Sequence, residues 1–164
     1  MQENAALKRT EVADTSRWEG LLCQGAQEVF EMMVGVPLRQ SAEGAEPRAG
    51  EFTAVVGLAG PVNGVFALRC EEKTAVGIAR SMLGVDEAAA RSEVWDALGE
   101  VCNMVVGNFK GKTGRAGELS VLSVPTVICG HDYRVRPLIH GSFVECRMET
   151  ADGALQLRLD YRLA

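Results

Sequence analysis

Two C-terminal segments, FVECRMET and ALQLRLDYRL, alternate apolar and polar residues almost strictly. Because successive side chains of a β-strand point to opposite faces, this pattern predicts strands over 142–150 and 154–163, each with one face in water. Ala151, Asp152 and Gly153 between them form a hairpin signal, so we expect the two strands to pair antiparallel. The pairing restricts the chain to folds built around an antiparallel sheet.

The rest of the chain adds a second hairpin, three helices and one more strand. Residues 52–59 and 64–70 are β-rich and flank a turn at 60–63. Also predicted are helices over 14–34, 71–83 and 86–110, a loop over 38–50 and a strand over 119–129. Since hairpins dominate the connections, we expect an α+β fold in which two long helices and one shorter helix pack on a largely antiparallel sheet.

The length and the charge limit the domain count and the classes of partner. A chain of 164 residues suits one domain, which we place at 14–164 after a flexible N-terminal segment at 1–13. The 17 Lys and Arg are outnumbered by 22 Asp and Glu, so nucleic acid is not an expected partner. The sequence has no apolar run of about 18 residues and no secretory signal, which predicts a cytoplasmic protein with no membrane contact.

Motifs for cofactors and metals are missing from the sequence. It contains no phosphate-binding loop, no nucleophile elbow and no dinucleotide-binding turn. Its two histidines, His131 and His140, lack the spacing of metal ligands, so we expect the chain to hold no metal or cofactor of its own.

The cysteines are few and widely spaced. Their positions are Cys23, Cys70, Cys102, Cys129 and Cys146. They form no Cys-x-x-Cys pair and have mostly apolar neighbours, so we expect buried, reduced thiols.

A short internal repeat links two of the predicted helices. Residues 28–36 read EVFEMMVGV and residues 100–108 read EVCNMVVGN, with five identities in the same register. A duplication would place the two long helices side by side around a pseudo-twofold axis, and function would then lie where the copies differ.

The third predicted helix presents an unusual polar surface. Its apolar face contains Leu98, Val101, Cys102, Val105 and Phe109. Around Glu100, on the opposite side, lie Glu93, Asp96, Asn103, Met104 and Gly107, a surface that we call the Glu100 ridge. Glu100 and Asn103 point outward together because they are three residues apart. A plain solvated helix face fits the same pattern, and the Glu-x-x-Asn spacing alone does not exclude it.

The residues around this spacing resemble a known family. DALGEVCNMVVGNFKG at 96–111 is similar to the signature helix of the CheC/CheX/FliY family of chemotaxis phosphatases, and especially of its CheX-like members. Looser similarity extends over GLAGPVNGVFALRCEEKTAVGIARSMLG at 57–84 and SVLSVPTVICG at 120–130. The resemblance implies an enzyme that removes phosphate from the aspartyl phosphate of a CheY-like response regulator.

The same resemblance assigns roles to individual residues. Glu100 and Asn103 match the two functional positions, where the Glu pairs with a receiver lysine and the Asn orients the attacking water. Asp96, Met104 and Gly107 are then partner-binding residues, and the Mg²⁺ belongs to the phosphorylated receiver. The first helix has Glu31 at the position of Asn103, and a second carboxylate would repel phosphate, so we expect one active ridge with Glu28 and Glu31 facing solvent.

Two other functions stay open at this point. The Glu100 ridge suits a non-catalytic module that docks a phosphorylated receiver or a flagellar switch component. The strands over 142–150 and 154–163 suit a self-association domain, because CheX-like proteins pair through sheet edges. The resemblance also implies a homodimer.

Overall fold

The computed structural model describes residues 14–41 and 52–164, and in that part of the chain one antiparallel sheet carries helices on one face. The helices are α1 Trp18–Val29, α2 Glu72–Leu83, α3 Glu87–Lys112 and α4 Arg115–Glu118. The strands are β1 Arg39–Gln40, β2 Phe52–Ala59, β3 Val62–Cys70, β4 Val121–Leu122, β5 Thr126–Cys129, β6 Ser142–Thr150 and β7 Gly153–Leu163. The predicted α+β class and antiparallel sheet are confirmed. The predicted N-terminal segment at 1–13 lies outside the described residues.

The sheet order is β1-β6-β7-β3-β2-β4, with β5 also paired to β2. Both predicted hairpins form: β2 pairs with β3 and β6 pairs with β7. The first turn is tighter than expected, because β3 already begins at Val62. The predicted loop over 38–50 contains β1, which pairs with Glu149 and Met148 at the end of β6. Most of that loop lies in 42–51, outside the described residues.

The strand predicted over 119–129 is confirmed only in part, because three local features divide it into β4 and β5. Ser120 is buried, and its hydroxyl donates to the Ala116 carbonyl of α4. The Ser123 hydroxyl accepts from the Gly57 amide at 2.8 Å, so a side chain replaces a backbone partner in the sheet. Pro125 has no amide hydrogen to donate. Two short strands, β4 and β5, therefore pair with β2 on either side of this break.

The core lies between the sheet and α1, α2 and α3. Trp18 connects three elements: its ring lies 4.7 Å from the Tyr161 ring of β7 and 5.6 Å from the Phe109 ring of α3. The two repeat-bearing helices, α1 and α3, pack side by side as expected, with Gly25 of α1 close to Asn108 and Phe109. Their contact fixes the orientation of α3 and hence of its outer surface.

Three of the five cysteines contradict the expectation of buried, reduced thiols. Cys23 of α1 and Cys146 of β6 form a disulfide, with Cα atoms 5.8 Å apart across a sequence separation of 123 residues. Cys129 is a free thiol, but it is exposed at the end of β5. Only Cys70 and Cys102 are both buried and outside a disulfide, and burial raises the pKa of Cys102 to about 12.

These environments predict a sharp contrast in thiol reactivity. With no reductant present, a thiol reagent should modify one group rapidly in the folded protein, Cys129, because Cys70 and Cys102 are buried. The same titration in denaturant should give three thiols, and reduction of the disulfide should lower the free energy of unfolding by about 2–4 kcal/mol. Five reactive thiols in the denatured, unreduced protein would contradict the disulfide.

Candidate functional site

The candidate site lies on α3, a continuous helix of 26 residues. Asp86 caps its first turn by accepting a hydrogen bond from the Ala89 amide at 2.8 Å. The predicted apolar face is buried throughout: Leu98, Val101, Cys102, Val105 and Phe109. The cap and this buried face hold the opposite face of the helix outward in a defined orientation.

The structure brings together all the residues predicted for the Glu100 ridge. Glu93, Asp96 and Glu100 are exposed, and Asn103 is half-buried one turn further along. Met104 packs partly against the core, so its side chain forms the base of the ridge rather than its outer surface. At Gly107 an added Cβ would meet only the Leu122 side chain, at 4.0 Å, which leaves the helix backbone accessible.

The polar side chains of the ridge are unengaged. Within the described ranges, Glu100 and Asn103 have no side-chain hydrogen bond or ion pair. An exposed carboxylate and a half-buried amide, side by side and without partners among the described residues, are available to a second molecule. Together they present one anionic acceptor and one group that both donates and accepts hydrogen bonds.

The corresponding part of the first helix is built differently. After Val29 the helix continues as a π-helical turn, Phe30–Val34, and ends at Gly35 with φ +80°. Glu31 is exposed, as expected. Glu28 faces solvent only in part, because its carboxylate makes an ion pair with Lys112 Nζ at 2.8 Å and accepts from the Asn108 amide at 3.3 Å.

The Lys112 contact therefore occupies the carboxylate that corresponds to Glu100 in the repeat. The hydrogen bond from Lys112 is the largest cause of a lowered pKa for Glu28, with a further contribution from Asn108. This pairing was not predicted from the sequence, since Lys112 lies at the far end of another helix. The sequence did show that the two copies of the repeat differ, since the first has Glu31 where the second has Asn103.

A groove beside the ridge was also missed. It is lined by Trp95, Asp96, Gly99 and Glu100 of α3 and by Pro125 and Val127 near the break between β4 and β5. The available signal for this groove was Trp95, an exposed aromatic residue next to a predicted site residue. The sequence did not show that the broken strand forms the opposite wall.

The described residues contain neither a cluster of metal ligands nor a membrane-spanning helix. Over residues 14–41 and 52–164, no three His, Cys, Asp or Glu side chains are grouped as metal ligands would be. No helix within these ranges is long and apolar enough to cross a membrane.

Comparisons with known proteins point to one family. The family model for the chemotaxis phosphatase CheX matches residues 52–149, more than half of the chain, including all of α3 and both hairpin strands β2 and β3. None of the curated proteins matches the sequence.

Solved structures share the fold at low sequence identity. The chemotaxis protein CheX from Vibrio vulnificus superposes with a TM-score of 0.74 at 21% identity, covering 90% of this chain and 97% of that one. The CheX chain of a CheX-CheY-BeF3-Mg²⁺ complex from Borrelia burgdorferi gives 0.72 at 21% identity, with coverages of 88% and 97%. FliY from Thermotoga maritima gives 0.59 at 15% identity, with coverages of 90% and 87%.

The Glu28 contacts predict a pH-dependent contribution to stability. Because the folded-state pKa of Glu28 is lowered from 4.5, its stabilising effect is present above that value and is lost as the pH falls through the folded pKa. Lys112→Met should therefore raise the Glu28 pKa toward its usual range and lower the thermal midpoint at pH 7. At a pH below the folded pKa of Glu28, wild type and variant should converge. An NMR titration of Glu28 that Lys112→Met leaves unchanged would contradict the pairing.

Proposed function

Because the chain belongs to the chemotaxis phosphatase CheX family, we propose that it hydrolyses the aspartyl phosphate of a CheY-like response regulator. The observation that carries the proposal is the pair Glu100 and Asn103, held outward on a rigid helix with no side-chain partner among the described residues. The partner is supported by a protein of the same fold that was crystallised with CheY, BeF3 and Mg²⁺.

Asn103 acts on the attacking water. Its amide oxygen accepts a hydrogen bond from the water, while its NH₂ group can donate to an anionic phosphoryl oxygen. The water oxygen bonds to phosphorus, the bond from phosphorus to the aspartate oxygen breaks, and the products are a free carboxylate and H₂PO₄⁻. Phosphoryl transfer depends chiefly on in-line positioning, so one well-placed amide can have a large effect.

Glu100 binds and orients the receiver. Its carboxylate pairs with a lysine at the receiver's phosphorylation site, in a charge-assisted hydrogen bond that strengthens as water leaves the interface. Asp96 adds negative charge one turn earlier, and Gly107 lets the receiver approach the helix backbone one turn later. The receiver's Mg²⁺ supplies charge neutralisation at the phosphoryl group, so this chain needs no metal ligands of its own.

Each chain has a single active ridge. The first copy of the repeat has Glu31 where the third helix has Asn103, and a carboxylate there repels the phosphoryl group. Glu28 is also bound to Lys112 and Asn108 and is not available to a receiver lysine.

We also propose that the chain forms a homodimer through the β6 edge. The sequence offered both C-terminal strands for this role, but β7 lies between β6 and β3 and has no free edge. The Ser41 amide donates to the Arg147 carbonyl on the side of β6 that faces away from β7. Because the backbone groups of every second residue in a strand point to the same side, those of Glu145 and Phe143 also face away from β7. Among the described residues no strand pairs with this half of β6, which leaves it free for a second copy.

Asn103→Ala should abolish most of the phosphatase activity. A panel of CheY-like receivers from the same genome would be phosphorylated with acetyl phosphate and Mg²⁺, and phosphate release would be followed with and without the protein. The variant should lower kcat by about 100-fold or more, since it removes the water-orienting amide. Glu31→Gln, a change at the corresponding exposed position of the first copy, should leave the rate unchanged.

The same assay separates catalysis from docking alone. No acceleration of any receiver by the wild-type protein would overturn the proposed reaction. Binding of a phosphorylated receiver that Asn103→Ala leaves unaltered, without faster dephosphorylation, would instead favour the non-catalytic module.

Phe143→Pro should dissociate the proposed dimer. Proline removes the outward amide of Phe143 and is tolerated on a free strand edge. Phe143→Ala is the matched control, because it removes the side chain and keeps the amide. Sedimentation at micromolar concentration should show dimer for wild type and the alanine variant, and monomer for the proline variant. A monomeric wild type would contradict the assignment.

A further inference from the structure

The groove beside the Glu100 ridge has the features of a second contact site for a protein partner. Trp95 and Gly99 of α3 form one side and the floor, while Pro125 and Val127 form the opposite wall. Asp96 and Glu100 stand at its rim on the side of the ridge. We call this surface the Trp95 groove.

Trp95 is exposed but held in place. Its side chain is 48% exposed, although tryptophan is among the most costly side chains to leave in water. Its ring packs edge-to-face with the ring of Phe52 of β2, with centroids 5.7 Å apart and planes at 70°. A fixed, half-exposed tryptophan loses little conformational freedom on binding, and residues of this kind dominate many protein interfaces.

The groove is continuous with the proposed catalytic pair. Trp95, Gly99 and Asn103 are spaced by four residues, so they follow one row along the surface of α3. A partner that reaches Asn103 along this row therefore passes over the groove. The same surface includes the rim carboxylate of Glu100.

Gly99 keeps the groove open. A Cβ atom at this position would lie 3.4 Å from Pro125 and 3.6 Å from Val127, filling the space between the helix and the broken strand. These are ordinary van der Waals distances, so an alanine would fit at position 99 and its methyl group would take up space on the groove floor.

The chemistry of the groove identifies its occupant. Its walls are apolar and aromatic, and its rim carries the two carboxylates of Asp96 and Glu100, with Glu93 one turn earlier on the ridge. This combination is complementary to an apolar side chain that has a lysine or arginine next to it.

We propose that the Trp95 groove binds such a side chain on the surface of the receiver and so determines which receiver is dephosphorylated. The inference rests on the proposed function, since it assigns the groove to the same partner as the Glu100 ridge. Trp95 is a specificity-determining residue in this account, and Asn103 carries out the chemistry.

The assignment can be tested by steady-state kinetics, using the receiver that the wild-type protein dephosphorylates fastest. Trp95→Ala should raise KM by about tenfold or more and leave kcat within about twofold, because the groove contributes binding and not water orientation. Leu138→Ala removes another highly exposed apolar side chain, at 86% exposure outside the groove, and should change neither constant.

Gly99→Ala tests the groove with a variant that we do not expect to destabilise the fold. Alanine favours the helix, so the thermal midpoint should not fall, yet the added methyl group occupies the groove and should raise KM. Unchanged KM values in both variants, with an active wild type, would overturn the groove assignment and leave the proposed reaction intact.

Tryptophan fluorescence gives a readout that does not need turnover. Trp18 is 2% exposed, so acrylamide quenching reports mainly on Trp95. Each receiver of the panel would be added with beryllofluoride and Mg²⁺. The receivers with low KM should protect Trp95 from quenching. Protection without phosphate release would support the groove and contradict the reaction, whereas turnover with no protection would contradict the groove.

Discussion

The burial of one face of α3 is the constraint on which the site depends. Leu98, Val101 and Phe109 pack inward, and the edge of the Phe109 ring faces Trp18 of α1. Because an α-helix repeats every 3.6 residues, fixing this face also fixes the outward direction of Glu100 and Asn103. The two candidate side chains therefore need no contacts of their own to be positioned. The apolar core holds them outward and leaves their polar atoms free for a partner.

The two copies of the repeat have taken different roles. In the first, Glu28 contacts Lys112 and Asn108 and joins α1 to the end of α3. In the second, Glu100 stays exposed and unpaired within the described residues. The π-helical turn after Val29 adds a geometric difference, since α3 remains regular through Gly107. One copy thus supports the orientation of the helix that carries the other.

Local signals in the sequence predicted most of the fold. Alternation predicted β6 and β7, and the helix signals in the sequence predicted the bounds of α2 and α3 within two residues. The failures depended on contacts distant in sequence: the disulfide joins residues 123 positions apart, and the break at Ser123 depends on a bond to Gly57. The ridge could be predicted from helical periodicity alone. The Trp95 groove could not, because Pro125 and Val127 reach it only through the sheet.

The central claim is that Asn103 enters the receiver's phosphorylation site while Glu100 meets a lysine there. A crystal structure of the chain with a beryllofluoride-activated CheY-like receiver and Mg²⁺ would test it most directly. We expect the Asn103 amide on the side of the beryllofluoride opposite the aspartate, within about 3 Å of a water aligned for attack, and Glu100 at a similar distance from the lysine. A complex in which the Glu100 ridge faces solvent would contradict it.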